Sequence, residues 1–438
     1  MHVAIFTDFH PATLGGVQTA MRSLCDGLRR LGHRVTVFCP PAPGSVTSDA
    51  ETVVLGALPV AMSNGLPVVL PTRGNQRRID AAFAERGPID IVHALTTYGC
   101  GISGARAARR HGIPIVQTMQ SRDDTVIAQY SPAPYLSALT MRLVHGWFVP
   151  LRGRPPSDGD GRIARLAWRP LIAQAQAADR VIVPTRHFAH RVAAHGVDRP
   201  IHVVSNGIDD ELLDRVRGAD DEATKTETPP RRLDAETPLR ARDIQAPLRA
   251  LWCGRLSAEK RPLEAIEVAR LVQDCTLDVY GGGPLADRVR SAVAEADLGG
   301  RVRLHGEAGQ ADCLRAMRGH DVLLLTSDCD TQGMVLLEAM AMGLPVVYCD
   351  PELSETVPAD GGVRADDRSV ESFAAVLKDL AGNRIRLQAM RRTLADHADE
   401  PRQSRHIEAI LSVYAEALDA PNVSGGVVRT PRCGGRNR

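Results

Sequence analysis

A chain of 438 residues, 44% hydrophobic and 24% charged, is too long for one ordinary core and has the apolar mass for two. Fifty-three Lys and Arg against 52 Asp and Glu leave a net charge of +1, which argues against a nucleic-acid partner held by phosphate neutralisation. No run of about 18 apolar residues marks a membrane span, and nine cysteines without C-x-x-C spacing point to a reduced, cytoplasmic protein with no zinc site or disulfide framework.

In chain order, Met1–Phe6 lacks a basic leader and reads as a first strand, Val3–Phe6, rather than a signal peptide. Val17, Met21, Leu24, Leu28 and Leu31 recur at steps of four and three, which predicts an amphipathic helix ended by Gly32. Strands follow at Arg34–Phe38, Ile89–His93, Ile113–Thr118, Arg180–Val183 and Ile201–Val204, with helical periodicity between them. Residues 153–162 read as an exposed loop, and the charged, proline-rich stretch 214–247 as a linker or insertion. The pattern then restarts with strands at Leu248–Cys253, Thr276–Tyr280, Val302–Leu304, Val322–Leu325 and Pro345–Tyr348. Strand–helix alternation of this kind predicts an α/β protein with two tandem, doubly wound, Rossmann-like domains, 1–213 and 248–402, facing a cleft. A last helix over 403–418 has no strand partner and is expected to pack back across the domains, and the Gly- and Arg-rich tail 419–438 to be disordered.

Four motifs fall at the carboxyl ends of these strands. Gly15-Gly16-Val17 opens the first helix, where backbone amides can meet an anion; a plain tight turn explains it equally well. Arg255 and Lys260 stand five residues apart after the strand Leu248–Cys253 and can converge on a diphosphate, or remain solvated beside Glu259. Gly281-Gly282-Gly283-Pro284 reads as a sharp turn with Pro284 at the first helical position, keeping the cleft wall free of side chains. In the stretch Ser327 to Val347 a polar loop containing Asp330 leads into a helix starting near Gly333. Glu338 in that helix can accept hydrogen bonds from vicinal hydroxyls, and it would be costly to bury beside Leu337 and Met340 without a partner.

Taken with Val204-Ser205-Asn206-Gly207-Ile208-Asp209 and His305-Gly306, these blocks resemble, in order and spacing over nearly the whole chain, the retaining glycosyltransferases of family 4, which have the two-domain GT-B fold. The resemblance implies transfer of a hexose from a nucleotide sugar, a UDP- or GDP-hexose, to a hydroxyl acceptor with an α-linked product. By it, Arg255 and Lys260 hold the diphosphate and Glu338 the ribose hydroxyls. His305 and Gly306 lie at the base, amides of Gln332, Gly333, Met334 and Val335 cap the phosphates, Asp330 meets the donor sugar, and Gly15 and Gly16 lie beneath the β-phosphate. No metal or other cofactor is expected, because cations stabilise the leaving group.

Two positions depart from the family pattern. Asp330 replaces the usual Glu, a side chain shorter by about 1.5 Å, and Gln120 stands where a histidine is common, so it can bond a sugar hydroxyl but hold no proton at neutral pH. Two rivals stay open: a catalytically silent binder of nucleotide sugars, and an epimerase or hydrolase on the same fold. His10, Asp123 and Asp124 are the candidates for the acceptor side. The aromatic stretch up to Arg152, with Tyr135, Leu139, Trp147 and Phe148, reads either as a helix covering the domain core or as a surface for a lipid acceptor and peripheral membrane contact.

Overall fold

The computed structural model describes residues 1–13, 15–42, 50–63, 66–149, 160–218 and 246–419. Its N-terminal part is built on a parallel sheet in the order β3-β2-β1-β6-β7-β8-β9. The strands are β1 His2–Phe6, β2 Arg34–Cys39, β3 Thr52–Val54, β6 Ile91–Ala94, β7 Ile115–Thr118, β8 Arg180–Val183 and β9 Ile201–Val203; β4 Ala57–Ser63 and β5 Leu66–Val69 form a separate hairpin. Helices here are α1 Gly16–Arg30, α2 Arg73–Arg86, α3 Gly99–His111, the single turn α4 Asp123–Thr125 running into a π-helical turn Val126–Tyr130, α5 Pro134–Phe148, α6 Arg162–Gln176, α7 Arg186–Ala194 and α8 Asp210–Gly218.

Alternate residues of β1 serve opposite faces, as a pleated strand requires. Val3 and Ile5 pack with Met21, Leu24 and Leu28 of α1, while Ala4 and Phe6 pack with Phe38, Trp168 and Phe188. Both faces are therefore covered, the usual condition for an all-parallel sheet.

The second sheet runs β12-β11-β10-β13-β14-β15, again parallel. Its strands are β10 Leu248–Cys253, β11 Cys275–Tyr280, β12 Val302–Gly306, β13 Val322–Leu324, β14 Val346–Tyr348 and β15 Gly362–Arg364. The helices are α9 Pro262–Leu271, α10 Ala286–Glu295, α11 Gln310–Gly319, α12 Met334–Ala341, α13 Val370–Gly382, α14 Arg384–His397 and α15 Gln403–Asp419. The last helix crosses back to the first sheet, where Ile407, Ile410, Val413 and Tyr414 join the core under α1. Gly27 permits this, since a methyl group there would lie 2.5 Å from Ile407 Cγ1.

Several expectations need correction. Strands β3, β4, β5 and β15 were not anticipated, and Pro284 precedes α10 by two residues instead of opening it; 214–218, the start of the expected linker or insertion, are the end of α8. The expected loop over 153–159, the stretch 219–245 and the tail from 420 lie outside the described residues.

Candidate functional site between the two sheets

The carboxyl ends of β1 and β13 each feed a glycine turn and a helix, and these two helices meet. Gly15, with φ 153°, caps α1, and a side chain there would strike Gln18. Gly333, with φ 77°, caps α12. A methyl group on Gly16 would lie 3.7 Å from Met334 Cγ, so the two amino-terminal helix ends face one another across the domain boundary. Each end carries the positive pole of its helix and first-turn amides that have no partner one turn back along the helix. Together they form a place that can receive an anion.

Lys260 enters the same region from the turn after β10, and its Nζ is ion-paired to Asp330 Oδ1 in the loop before α12. Burial raises the Asp330 carboxyl, but Lys260 more than reverses this and holds it below the usual range; Lys260 is held above its own. Asp330 Oδ2 is buried without a hydrogen bond. Arg255, half-buried, lies in the loop Gly254–Leu256, which is stitched to the triple-glycine turn: Gly254 N–H donates to Tyr280 O at 3.0 Å and Leu256 N–H to Gly282 O at 2.8 Å. A side chain on Gly281 would reach within 1.8 Å of Gly254 O. The glycines are therefore required by loop-on-loop packing, a different reason from the open cleft wall expected.

Glu338 is buried in α12, and its Oε1 accepts a hydrogen bond from Gln310 Nε2 at 2.7 Å. Burial pushes its pKa up to about 7, partly opposed by Gln310. At the sheet edge His305 stacks on Tyr280 with centroids 4.2 Å apart and lies 3.2 Å from Asp278 Oδ1; Gly306 turns the chain with φ 77°.

The two domains are tied at this boundary by polar side chains. Asn206 donates to Gln332 Oε1 through both its backbone and side-chain nitrogens, at 3.1 and 3.0 Å, and Gln332 Nε2 donates to Ser205 Oγ at 2.7 Å. Thr331 Oγ1 donates to the Gln120 carbonyl at 2.8 Å, and Tyr130 OH donates to Asp328. Gln120 borders a small cavity of about 20 Å³ together with His93, Asn206 and His406. His93 itself is fully buried and bonded to Tyr414 and Thr118, both at 2.6 Å.

On the N-terminal side the expected acceptor group separates. Asp124 is buried and tied within its own turn: Arg122 engages both of its oxygens, from Nε at 3.2 Å and Nη2 at 3.4 Å, and Thr125 Oγ1 adds a further bond. Asp123 is buried beside Thr97 and Tyr98, and burial pushes its pKa to about 6. His10 is buried in the loop after β1, where Nδ1 accepts from Ala12 N–H at 3.1 Å and Nε2 has no bond.

Two residues were missed. Asp8 accepts from the Cys100 N–H, at the start of α3, at 2.9 Å and from Thr96 Oγ1 in the loop after β6, and its position directly after β1 was a readable sign. Gln310 opens α11, and nothing in the sequence linked it to Glu338.

Among the described residues no group of three or more His, Cys, Asp or Glu side chains could hold a metal ion, and no helix is long and apolar enough to cross a membrane. Residues 14–212 match Glycosyltransferase Family 4, and residues 247–383 match Glycosyl transferases group 1. The chain is 26% identical to D-inositol 3-phosphate glycosyltransferase 1 of Catenulispora acidiphila over 76% of its length and 73% of that protein's. It is also 26% identical to a GDP-mannose-dependent alpha-mannosyltransferase of Mycolicibacterium smegmatis, covering 80% of each. The fold is similar to that of sucrose-phosphate synthase from Thermosynechococcus elongatus, with a TM-score of 0.70 at 16% identity over 95% of this chain and 98% of that one.

Proposed function

The chain belongs to the family 4 glycosyltransferases of GT-B fold, which use nucleotide-sugar donors, and from that premise we propose a retaining transfer of a hexose to a hydroxyl acceptor, giving an α-glycoside. The observation that carries this reading is the meeting of the α1 and α12 amino-terminal ends beside Lys260. A nucleotide diphosphate leaves with growing negative charge, and amides and cations fixed in advance lower the barrier to its departure. Arg255 and Lys260 supply that charge in place of a metal ion. Asp330 holds Lys260 in position, and its unbonded Oδ2 is available to a donor-sugar hydroxyl. Glu338, steered by Gln310, accepts from the ribose, and His305 and Gly306 border the base. The match to a GDP-mannose-dependent relative supports a GDP-hexose as one donor to try, with UDP-hexoses beside it.

The test is a thermal-shift screen across UDP, GDP, ADP and dTDP sugars, followed by calorimetry on the best hit. One base class should stabilise the fold by mass action. Arg255→Ala, and Lys260→Ala combined with Asp330→Asn to avoid a stranded charge, should weaken diphosphate binding roughly tenfold or more, with nucleoside binding nearly unchanged. Equal losses for nucleoside and diphosphate would refute the assignment. Product turnover, with the anomeric configuration read by NMR, separates a retaining transferase from a silent binder.

A further inference from the structure

We propose that the outer face of α5, together with the arginine row of α6, docks on an anionic lipid bilayer. The helix Pro134–Phe148 buries only Ala138, Met141 and His145. Tyr135, Leu136, Leu143 and Trp147 are 59%, 63%, 59% and 86% exposed, one third of the large exposed hydrophobics among the described residues on a single short helix. Such concentration marks an interaction face, since scattered single residues are the norm elsewhere. Leu136, Leu143 and Trp147 follow one another at steps of seven and four and so share one stripe. The helix covers part of the domain, as its buried residues show, but its outer side is as apolar as its inner side. The covering-helix reading therefore accounts for only half of it.

Charge selects the occupant. Alongside α5 lies α6, whose Arg162, Arg165 and Arg169 are exposed at steps of three and four. Neither helix contains an Asp or Glu, and among the described residues none of these arginines is ion-paired. In a chain of net charge +1 this row is a segregated cationic surface, on a helix packed directly against the one that bears the apolar stripe. Anionic headgroups suit the arginines, and the acyl boundary suits Leu143 and Trp147, a pairing typical of helices that lie in the interface. A second copy of the chain would set like charges against each other. Fifteen residues are too few to span a bilayer, so the helix lies on it.

The face is also well placed. His145 Nδ1 bonds to Met141 O at 3.0 Å and its Nε2 to Thr97 O, which fixes the inner side of α5 to the first domain. The helix packs against the π-helical turn ending at Tyr130, which reaches Asp328 across the domain boundary. A lipid hydroxyl held in the bilayer would thus be offered at the mouth of the site. That consequence rests on the transferase reading, whereas the docking does not.

The experiment is sedimentation of the full chain with phosphatidylcholine vesicles, with and without about a third phosphatidylglycerol. The expected result is at least tenfold stronger partition to the anionic vesicles, falling as salt rises. Leu143→Glu with Trp147→Glu, and separately Arg162→Glu with Arg165→Glu and Arg169→Glu, should each reduce it by about tenfold or more. Both variants should keep the wild-type thermal shift with the best nucleotide sugar, which shows that they are folded. Wild-type protein left in the supernatant with anionic vesicles, or variants that sediment as well as wild type, would overturn the proposal. So would a dimer broken by Trp147→Glu, which would assign the face to a second copy. Vesicle binding by a protein that binds no nucleotide sugar would sink the transferase reading and leave the docking intact.

Discussion

Glu338, proposed to meet the donor ribose, carries a proton whose release would accompany donor binding. Its pKa is pushed up to about 7 by burial, against an ordinary value of 4.5, so the folded chain takes up a proton that the unfolded chain has released. Stability from this position is fully present below about 4.5 and lost as pH rises through about 7. Glu338→Gln should therefore leave stability unchanged near pH 4 and raise it by about 3 kcal/mol near pH 8, read by denaturant unfolding at the two pH values. Hydroxyls donated by a ribose favour the ionised carboxyl, so binding should expel the proton. Calorimetry in two buffers of different ionisation enthalpy near pH 6.5 should show proton release on nucleotide binding in the wild type and none in the variant. No release in the wild type would return Glu338 to a purely structural role. Much of this was legible at the level of single residues: Glu338, Asp330 and Lys260 stand out by type and place. The pairings were not. Lys260 and Asp330 lie 70 positions apart, and Gln310 carries no mark of its task.

Among the elements, the triple-glycine turn shows how one loop sets another. Gly281 adopts φ 155° and approaches Gly254 O so closely that any side chain must displace the Gly254–Leu256 loop and Arg255 with it. Gly281→Ala should cost about 3 kcal/mol or more from strain and clash, lowering the melting temperature by roughly 6–12 °C. It should also weaken diphosphate binding, measured by calorimetry, although no ligand-facing side chain has changed. A stable variant with intact binding would show that the loop can move freely. The longer strands were legible because runs such as Val3–Phe6 and Arg180–Val183 are β-branched and bounded by polar turns. The missed ones are short or interrupted: β4 and β5 contain Pro59 and Pro67, and β15 is three residues beginning with glycine. The apolar pattern of α5 was visible, but pattern alone does not say which side of a helix meets a domain.

For the whole molecule, the two domains are held by a chain of charges away from the helix ends. Glu352, beside β14, accepts from Arg122 at 2.8 Å and from Arg191 at 2.6 Å, both in the first domain, and Arg122 is shared with Asp124. Nearby Glu355 accepts the backbone N–H groups of Arg186 and His187 at the start of α7, at 2.7 and 2.9 Å. These bonds span the boundary, whereas Arg255, Lys260 and Glu338 all lie in the second domain. With the donor held by these three residues as proposed, closure and donor binding are separable. Glu352→Gln keeps the shape but removes the charge facing two arginines, and should cost about 1–2 kcal/mol of closure. The expected outcome is a fall of roughly tenfold in kcat/KM, with the donor dissociation constant, measured by calorimetry, changed less than about twofold. Such a split follows if transfer needs the first domain's Gly16 seated at Met334 while the nucleotide is held chiefly by the second domain. An equal loss in both quantities would mean that the charged seam shapes the donor site itself, and that the domains bind the nucleotide as one body.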